Sequence, residues 1–224
     1  MKIFDCTTHF DEELMMDIRF NVLNEYVEKF IVVESNYSHS GKKKDLKFNI
    51  NNYKKFKDKI IYLIIENEPE GLFQLNNNSD DSGKKRMNSI KRIEQSYDYM
   101  INGINKASEN DLILISDNDE IPNLNSSQFK NSKSNIFLFK QLFFYFKFNL
   151  LYDYVPWFGT KGCKKKYLKS FSWLRNIKNK KYPFWRLDSY FSDLKIINLD
   201  IINDGGWHFT NLKTPEKIFE KLSN

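Results

Sequence analysis

Leu112-Ile113-Leu114-Ile115-Ser116-Asp117-Asn118-Asp119-Glu120-Ile121-Pro122 is the stretch on which the reading of this chain turns. Its first five residues show no apolar–polar alternation. They read as a strand buried on both faces, the kind found in parallel sheets covered by helices. The strand runs straight into an acidic segment that stops at a proline. In open α/β sheets ligands bind in the crevice beyond the carboxyl ends of the strands. Alternate side chains of extended backbone share a face, so Asp117 and Asp119 are expected to point together into that crevice. Two convergent carboxylates suit a hard divalent cation that takes further oxygens from a diphosphate. An acid-rich turn that merely caps a buried strand is the plain alternative.

Upstream, the pattern is β-α-β-α-β. Lys2–Cys6 reads as a strand and Asp11–Val27 as a helix, with Leu14, Ile18, Val22 and Tyr26 at every fourth position. Phe30–Glu34 is a second buried strand, residues 51–57 a weak helix, and Ile60–Ile65 a third strand. Residues 66–85 are polar, with Pro69, Gly71 and Gly83, and read as a long loop. Ile90, Ile93, Tyr97, Ile101 and Ile104 then mark an amphipathic helix leading into the acidic strand. Downstream, Ile136–Phe148 reads as one long aromatic strand. A looser region follows to Ser192, residues 194–202 suggest another strand, and Gly205-Gly206-Trp207-His208-Phe209 reads as a turn. This order favours a mainly parallel central sheet with helices on both faces. No repeat or composition break calls for a second domain, so residues 1–224 are expected to form one.

Composition narrows the function classes. The chain has 224 residues, 41% hydrophobic and 29% charged, with 20 Phe and 12 Tyr, which is globular and not disordered. Two cysteines, Cys6 and Cys163, exclude a disulfide framework and point to a reducing compartment. The formal charge of +6 invites a nucleic-acid reading. However, 30 of the 35 basic residues are Lys and 5 are Arg, whereas bidentate recognition of phosphate and bases favours Arg; no nucleic-acid partner is expected. The apolar run at residues 136–151 is broken by Lys140, Gln141 and Lys147 and is too short for a spanning helix. Ile3–Cys6 is too short for a signal-peptide core. A cytoplasmic location is the expectation.

Three segments taken together resemble glycosyltransferase family 17. One is Asp117-x-Asp119-Glu120-Ile121-Pro122 after its buried strand. The second opens at Ile3-Phe4-Asp5-Cys6, passes through Glu12-x-Leu14 and Ile18-Arg19, and reaches Phe30-Ile31-Val32-Val33-Glu34-Ser35-Asn36-Tyr37-Ser38-His39-Ser40-Gly41-Lys42. The third is Gly205-Gly206-Trp207-His208-Phe209. The likeness covers residues 1 to about 48, 111–122 and 204–212 and is thin between. It implies a GT-A-like nucleotide-sugar-binding fold, with a nucleotide-binding half over residues 1–122 and an acceptor-side half over 123–224. It implies a UDP-sugar donor, UDP-GlcNAc first, a carbohydrate or glycoconjugate acceptor, and Mn²⁺ (or Mg²⁺) as cofactor.

In that setting Asp117 and Asp119 would hold the metal, with His208 completing the site from the C-terminal segment; Gly205 and Gly206 would let the backbone approach closely. A core histidine behind Trp207 is the competing reading of His208. Asp5 and Glu34 would stand near the uracil or ribose as acceptors. Asp5 could equally be a turn acid, while Glu34, ending an apolar strand, requires a ligand or a buried partner. Lys42 and Arg92 are candidates for the diphosphate, against the usual solvated charge run. Arg86, also at the start of that helix, and His39 are weaker. The aromatics from Phe137 to Tyr154, with Trp157, Trp173 and Trp185, would be an acceptor platform where exposed and core where not. The expected reaction is a metal-dependent inverting transfer, with Glu120 or Asp204 as the base. Two rivals are a metal-dependent nucleotide-sugar phosphohydrolase using the same carboxylates and a non-enzymatic basic nucleic-acid module.

Overall fold

The computed structural model describes residues 1–76 and 81–223. The β-branched runs become the four parallel strands expected: β1 (Ile3–Thr8), β2 (Lys29–Ser35), β3 (Ile60–Ile65) and β4 (Leu112–Ser116), in the order β3-β2-β1-β4. The sheet then continues through the second half of the chain. β7 (Trp157–Lys164) runs antiparallel to β4, and β6 (Ile136–Tyr145) antiparallel to β7. β8 (Asp200–Ile202) and β9 (Gly206–Thr210) both pair parallel with β6. β5 (Glu120–Pro122) closes the far edge antiparallel to β9.

Residue parity divides the core into two layers. Phe30, Val32, Leu112 and Leu114 pack on one face against α1 (Glu13–Leu23). Ile31, Val33, Ile113 and Ile115 pack on the other, against Met100 and Ile104 and the apolar side of α4 (Phe171–Asn176). Burying each such side chain contributes about 1.5–3 kcal/mol, which is why these strands carry no polar alternation. α2 (Ser82–Asp98) lies on the second side and continues as a 3₁₀ turn over Tyr99–Gly103. Helices therefore cover both faces, as expected.

Several sequence expectations shift. The stripe Leu14–Ile18–Val22 is not the buried face of α1. Met15, Met16, Arg19, Phe20 and Leu23 face the sheet, while Leu14 and Val22 are exposed. The two stripes are adjacent on one helix, and a buried arginine hides the true one. α2 starts at Ser82, within the stretch read as loop; residues 77–80 of that stretch lie outside the described residues. β5, β7 and α4 were not anticipated. The Gly205–Phe209 turn is largely strand β9. Its glycines do permit close approach: a Cβ on Gly206, which has φ +106°, would lie 2.2 Å from Ile121 O, and one on Gly205 2.5 Å from Lys140 N. No helix among the described residues is long and apolar enough to cross a membrane.

Candidate active site

Beyond the carboxyl end of β4 the backbone turns instead of staying extended: Glu120 N–H donates to Asp117 O at 3.1 Å. That turn breaks the alternation on which the pairing of Asp117 with Asp119 rested, and it sends the acids in two directions. Asp117 joins Glu120 around Arg175 of α4. Arg175 Nη2 lies 2.5 Å from Asp117 Oδ2, and its two Nη atoms lie 3.3 Å from the Glu120 oxygens; Nη1 also donates to Gly159 O at 2.9 Å. The Tyr97 hydroxyl of α2 donates to Asp117 Oδ1 at 2.9 Å. Glu120 further accepts from Asp117 N–H at 2.9 Å and from the Trp157 indole at 3.0 Å.

Glu120 is fully buried in this cluster. Burial, then the charge of Asp117, pushes its carboxyl up to about 7. Burial opposes the charge on Arg175, but the Glu120 and Asp117 carboxylates outweigh it and raise its pKa further. Burial and Asp117 push the Tyr97 hydroxyl up, so it donates as a neutral phenol. The place of Arg175 is fixed from behind by Lys161 of β7, a buried side chain whose Nζ donates to Arg175 O at 2.7 Å and Ile177 O at 2.5 Å. These two bonds satisfy carbonyls at the end of α4. Burial, then the charge of Arg175, pulls the Lys161 amine down to about 7.

Asp119 goes the other way. The β5–β9 pairing sets Glu120 opposite His208, and Phe209 N–H donates to Asp119 O at 2.9 Å. His208 Nε2 comes 3.5 Å from Asp119 Oδ1. The imidazole stacks on Trp157 (centroids 4.3 Å apart, 12° between planes) and on Phe143 (4.7 Å, 27°), and its Nδ1 is buried without a hydrogen-bond partner. Stacking, not a hydrogen bond, sets the ring's orientation. Asp119 also lines a cleft of about 270 Å³ together with Glu12, Phe209, Lys213 and Lys217. Glu12 ties this cleft together: it accepts from Asn118 Nδ2 at 2.5 Å and lies 3.2 Å from Lys213 Nζ.

The other expected site residues occupy supporting positions. Asp5 lies by parity on the α1 side of β1, fully buried, with Arg19 bound through both carboxylate oxygens at 2.5 and 2.7 Å. Arg19 Nη1 in turn donates to Glu120 O at 2.7 Å and Asp117 O at 3.3 Å, fastening the acidic turn to α1. Glu34 has the buried partners that the sequence demanded: Lys44 Nζ, Lys47 N–H and the Tyr62 hydroxyl at 2.8 Å, and Phe48 N–H at 3.0 Å. It anchors the loop after β2, with both carboxylate oxygens taken by these partners. Arg92 is bound to Glu68 Oε1 and to His39 O, against Gly41. Lys42 is exposed on the same turn, its N–H donating to Ser38 Oγ. Glu120, offered as a base, is fully buried, with Arg175 and the Trp157 indole on its carboxylate oxygens. Asp117, Asp119 and His208 do not form one ligand set; among the described residues no three His, Cys, Asp or Glu side chains converge as a metal site. Arg19, Tyr97, Lys161 and Arg175 were not singled out as site residues in the sequence, and Trp157, offered there for an acceptor platform, is half-buried and bonded to Glu120.

The family model for glycosyltransferase family 17 matches residues 1–212. The chain belongs to glycosyltransferase family 17. It is a glycosyltransferase, an enzyme that moves a sugar from an activated donor to an acceptor, and the hydrolase and nucleic-acid readings fall away. No curated protein matches the chain. Among solved structures, it is similar at 12% identity to the Francisella tularensis 2-C-methyl-D-erythritol 4-phosphate cytidylyltransferase (IspD) (TM-score 0.42, covering 100% of this chain and 99% of that one). It is similar at 12% identity also to the inositol-1-phosphate CTP transferase of T. maritima (TM-score 0.43, covering 100% and 95%).

Proposed function

We propose that this family-17 glycosyltransferase transfers N-acetylglucosamine, with inversion, from UDP-GlcNAc to a hydroxyl of a glycan or glycoconjugate, and that it does so with Mn²⁺ or Mg²⁺. The observation that carries the reading is the approach of the buried His208, through Nε2, to within 3.5 Å of Oδ1 of Asp119, which lines a cleft. Two donors on one ion, each about 2.0–2.2 Å from it, lie about 3 Å apart, so a small closure brings this pair to ligand spacing. An imidazole with a carboxylate suits Mn²⁺ better than Mg²⁺, and a cation held by one or two side chains takes its remaining oxygens from water and substrate phosphates.

Charge supports the same reading. Asp117, Asp119 and Glu120 bring three carboxylates to the end of β4 and Arg175 one guanidinium. Arg175 is taken up by Asp117 and Glu120, so Asp119 is the carboxylate left without a guanidinium, and it would repel an anionic diphosphate unless a cation came with it. The metal would supply electrostatic stabilisation of the leaving nucleoside diphosphate. The protein's own part is to hold and orient: Arg175 and Tyr97 fix Asp117, Arg19 fixes the turn, and Lys213 and Lys217 bring positive charge to the cleft beside Asp119. A single displacement needs a base at the incoming hydroxyl. Glu120 is fully buried, while Asp204, exposed ahead of β9 and accepting from Asn123 Nδ2 at 2.8 Å, is the acid to test.

The experiment is a panel of UDP- and GDP-sugars with and without Mn²⁺, read by nucleotide release and by thermal stabilisation. UDP-GlcNAc with metal is expected to score on both. Asp119→Asn and His208→Ala are each expected to abolish the metal-dependent part. Asp119→Asn behaving as wild type in both readouts would overturn the assignment.

A further inference from the structure

The connection from α4 to β8 carries a set of exposed aromatics, among them Trp185, which the sequence offered to an acceptor sugar where exposed. Between Pro183 and Ser192 it exposes Phe184, Trp185, Leu187, Tyr190 and Phe191; Trp185 is 71%, Leu187 74% and Phe191 91% exposed. This is a built loop. Arg186 N–H donates to Pro183 O, Ser189 N–H to Arg186 O and Tyr190 N–H to Leu187 O, and the Tyr190 hydroxyl donates to Phe184 O at 2.8 Å. Asp188 accepts from Arg186 Nε and Lys195 Nζ, each at 2.6 Å. Arg186 also lies 5.3 Å over the ring of Tyr182, which is buried as an anchor together with Ser189. The internal bonds hold the five apolar side chains outward, and a contiguous apolar surface of that kind marks a contact.

The surrounding charge identifies the contact. From residue 178 to 195 the chain has Lys178, Lys180, Lys181, Arg186 and Lys195 against Asp188 and Asp193, five positive and two negative charges. Asp188 is paired with Arg186 and Lys195, Lys181 with Asp200 and Asp193 with Lys169, so Lys178 and Lys180 supply the charge left beside the loop. Lys178 and Lys180, both exposed, precede the aromatic loop in the chain, and Lys180 Nζ lies 6.0 Å over the ring of its anchor Tyr182. Protein interfaces favour aromatics and Arg but are depleted in Lys. Sugar sites are concave and offer polar groups, whereas side chains this open project from the molecule, and the loop's carboxylate and phenol are already used. Aromatic rings with lysines beside them suit the boundary between water and lipid, where rings sit at headgroup depth and each lysine near the surface adds attraction to anionic lipid.

We propose that the Phe184–Phe191 loop docks this enzyme on an anionic lipid surface, with its apolar side chains entering the interface and Lys178 and Lys180 beside them meeting the headgroups. The test is flotation of the full chain with phosphatidylcholine vesicles and with the same vesicles carrying phosphatidylglycerol. The chain is expected to float with the anionic vesicles and to be released by salt. Trp185→Ser/Phe191→Ser is expected to weaken partition by about tenfold or more, and Lys178→Glu/Lys180→Glu to remove the preference for anionic lipid. Both variants change exposed side chains, so an unchanged thermal unfolding curve shows that each is folded. Three results would overturn the proposal: no flotation with either vesicle at low salt, equal flotation of the aromatic double variant, or a self-associated form that this variant dissolves, which would make the loop a contact between copies of the chain.

Discussion

Glu34→Gln exchanges one oxygen for an amide nitrogen in a buried carboxylate that accepts four hydrogen bonds at the end of β2. Oε1 receives Lys44 Nζ and Lys47 N–H, while Oε2 receives Phe48 N–H and the Tyr62 hydroxyl. The amide fits best with its nitrogen toward Tyr62, whose hydroxyl can turn and accept. Phe48 N–H cannot turn and is left facing a donor, and Lys44 loses its counter-charge. Burial alone would push the Glu34 carboxyl up, but His9, whose Nδ1 lies 3.6 Å from Oε2, then Lys44 and the Lys47 and Phe48 amides outweigh it and lower the carboxyl to about 2. Against an ordinary value of 4.5, at about 1.4 kcal/mol per unit, this is about 3 kcal/mol of stability at pH 7. Breaking a buried ion pair from one side costs about 3–5 kcal/mol, in agreement.

The sign follows from the lowered value. The contribution is fully present above the unfolded pKa and drains away as pH falls toward the folded one. Thermal and urea unfolding at pH 7 should therefore show Glu34→Gln destabilised by about 3 kcal/mol, a fall of about 6–12 °C for a chain of this size. At pH 3 the gap should narrow to about 1 kcal/mol. A deficit that stays the same from pH 7 to pH 3, or a variant of wild-type stability with a raised KM for the donor, would refute the reasoning and return Glu34 to the donor site.

Three further outcomes follow from the same contacts. Arg175→Met leaves buried Glu120 beside Asp117 without a cation and should cost about 3–5 kcal/mol in thermal unfolding; Arg175→Lys should recover part of this, because charge is kept and the planar fork is lost. Gly159→Ala would place a Cβ 2.0 Å from Gln141 Oε1 and 2.6 Å from Glu120 Cδ, and the resulting shift of the cluster should lower turnover by about a hundredfold. Asp5→Asn and Arg19→Met should each destabilise strongly, and the double variant by at least about 1 kcal/mol less than their sum, as a double-mutant cycle of unfolding energies would show.

The parallel half of the sheet was legible because its strands are buried on both faces. Such strands leave an unbroken apolar run, as in Phe30–Val33 and Leu112–Ile115, and the helices between them are long enough to show their period. The second half was harder to read. β7 is Trp157-Phe158-Gly159-Thr160-Lys161-Gly162-Cys163-Lys164, with two glycines and two lysines in eight residues. The reasons for these are tertiary: a Cβ on Gly159 would strike Glu120 and one on Gly162 would strike Leu114, while Lys161 reaches the end of α4. None of this shows as strand propensity. β5 and β8 have three residues each, too few for any periodicity.

The site divides along the same line. Asp119 and His208 come together through the pairing of β5 with β9, and family likeness had placed both in the site without that pairing. The reasoning from alternate side chains failed for Asp117 because residues 117–119 turn. Arg175 lies 58 residues from Asp117, and no local pattern joins them. Its signal was compositional. In a chain with 30 Lys and 5 Arg, lysine meets any general need for positive charge, so an arginine that persists is one whose planar fork has a use. Arg19 spans Asp5 and the carbonyls of the acidic turn; Arg175 spans Asp117, Glu120 and Gly159 O. Each makes several directed bonds that an ammonium cannot reproduce. Asking first where the five arginines must go, and only then which acids could face a ligand, would have separated Asp5 and Glu120, which are committed to guanidinium groups, from Asp119, which is not.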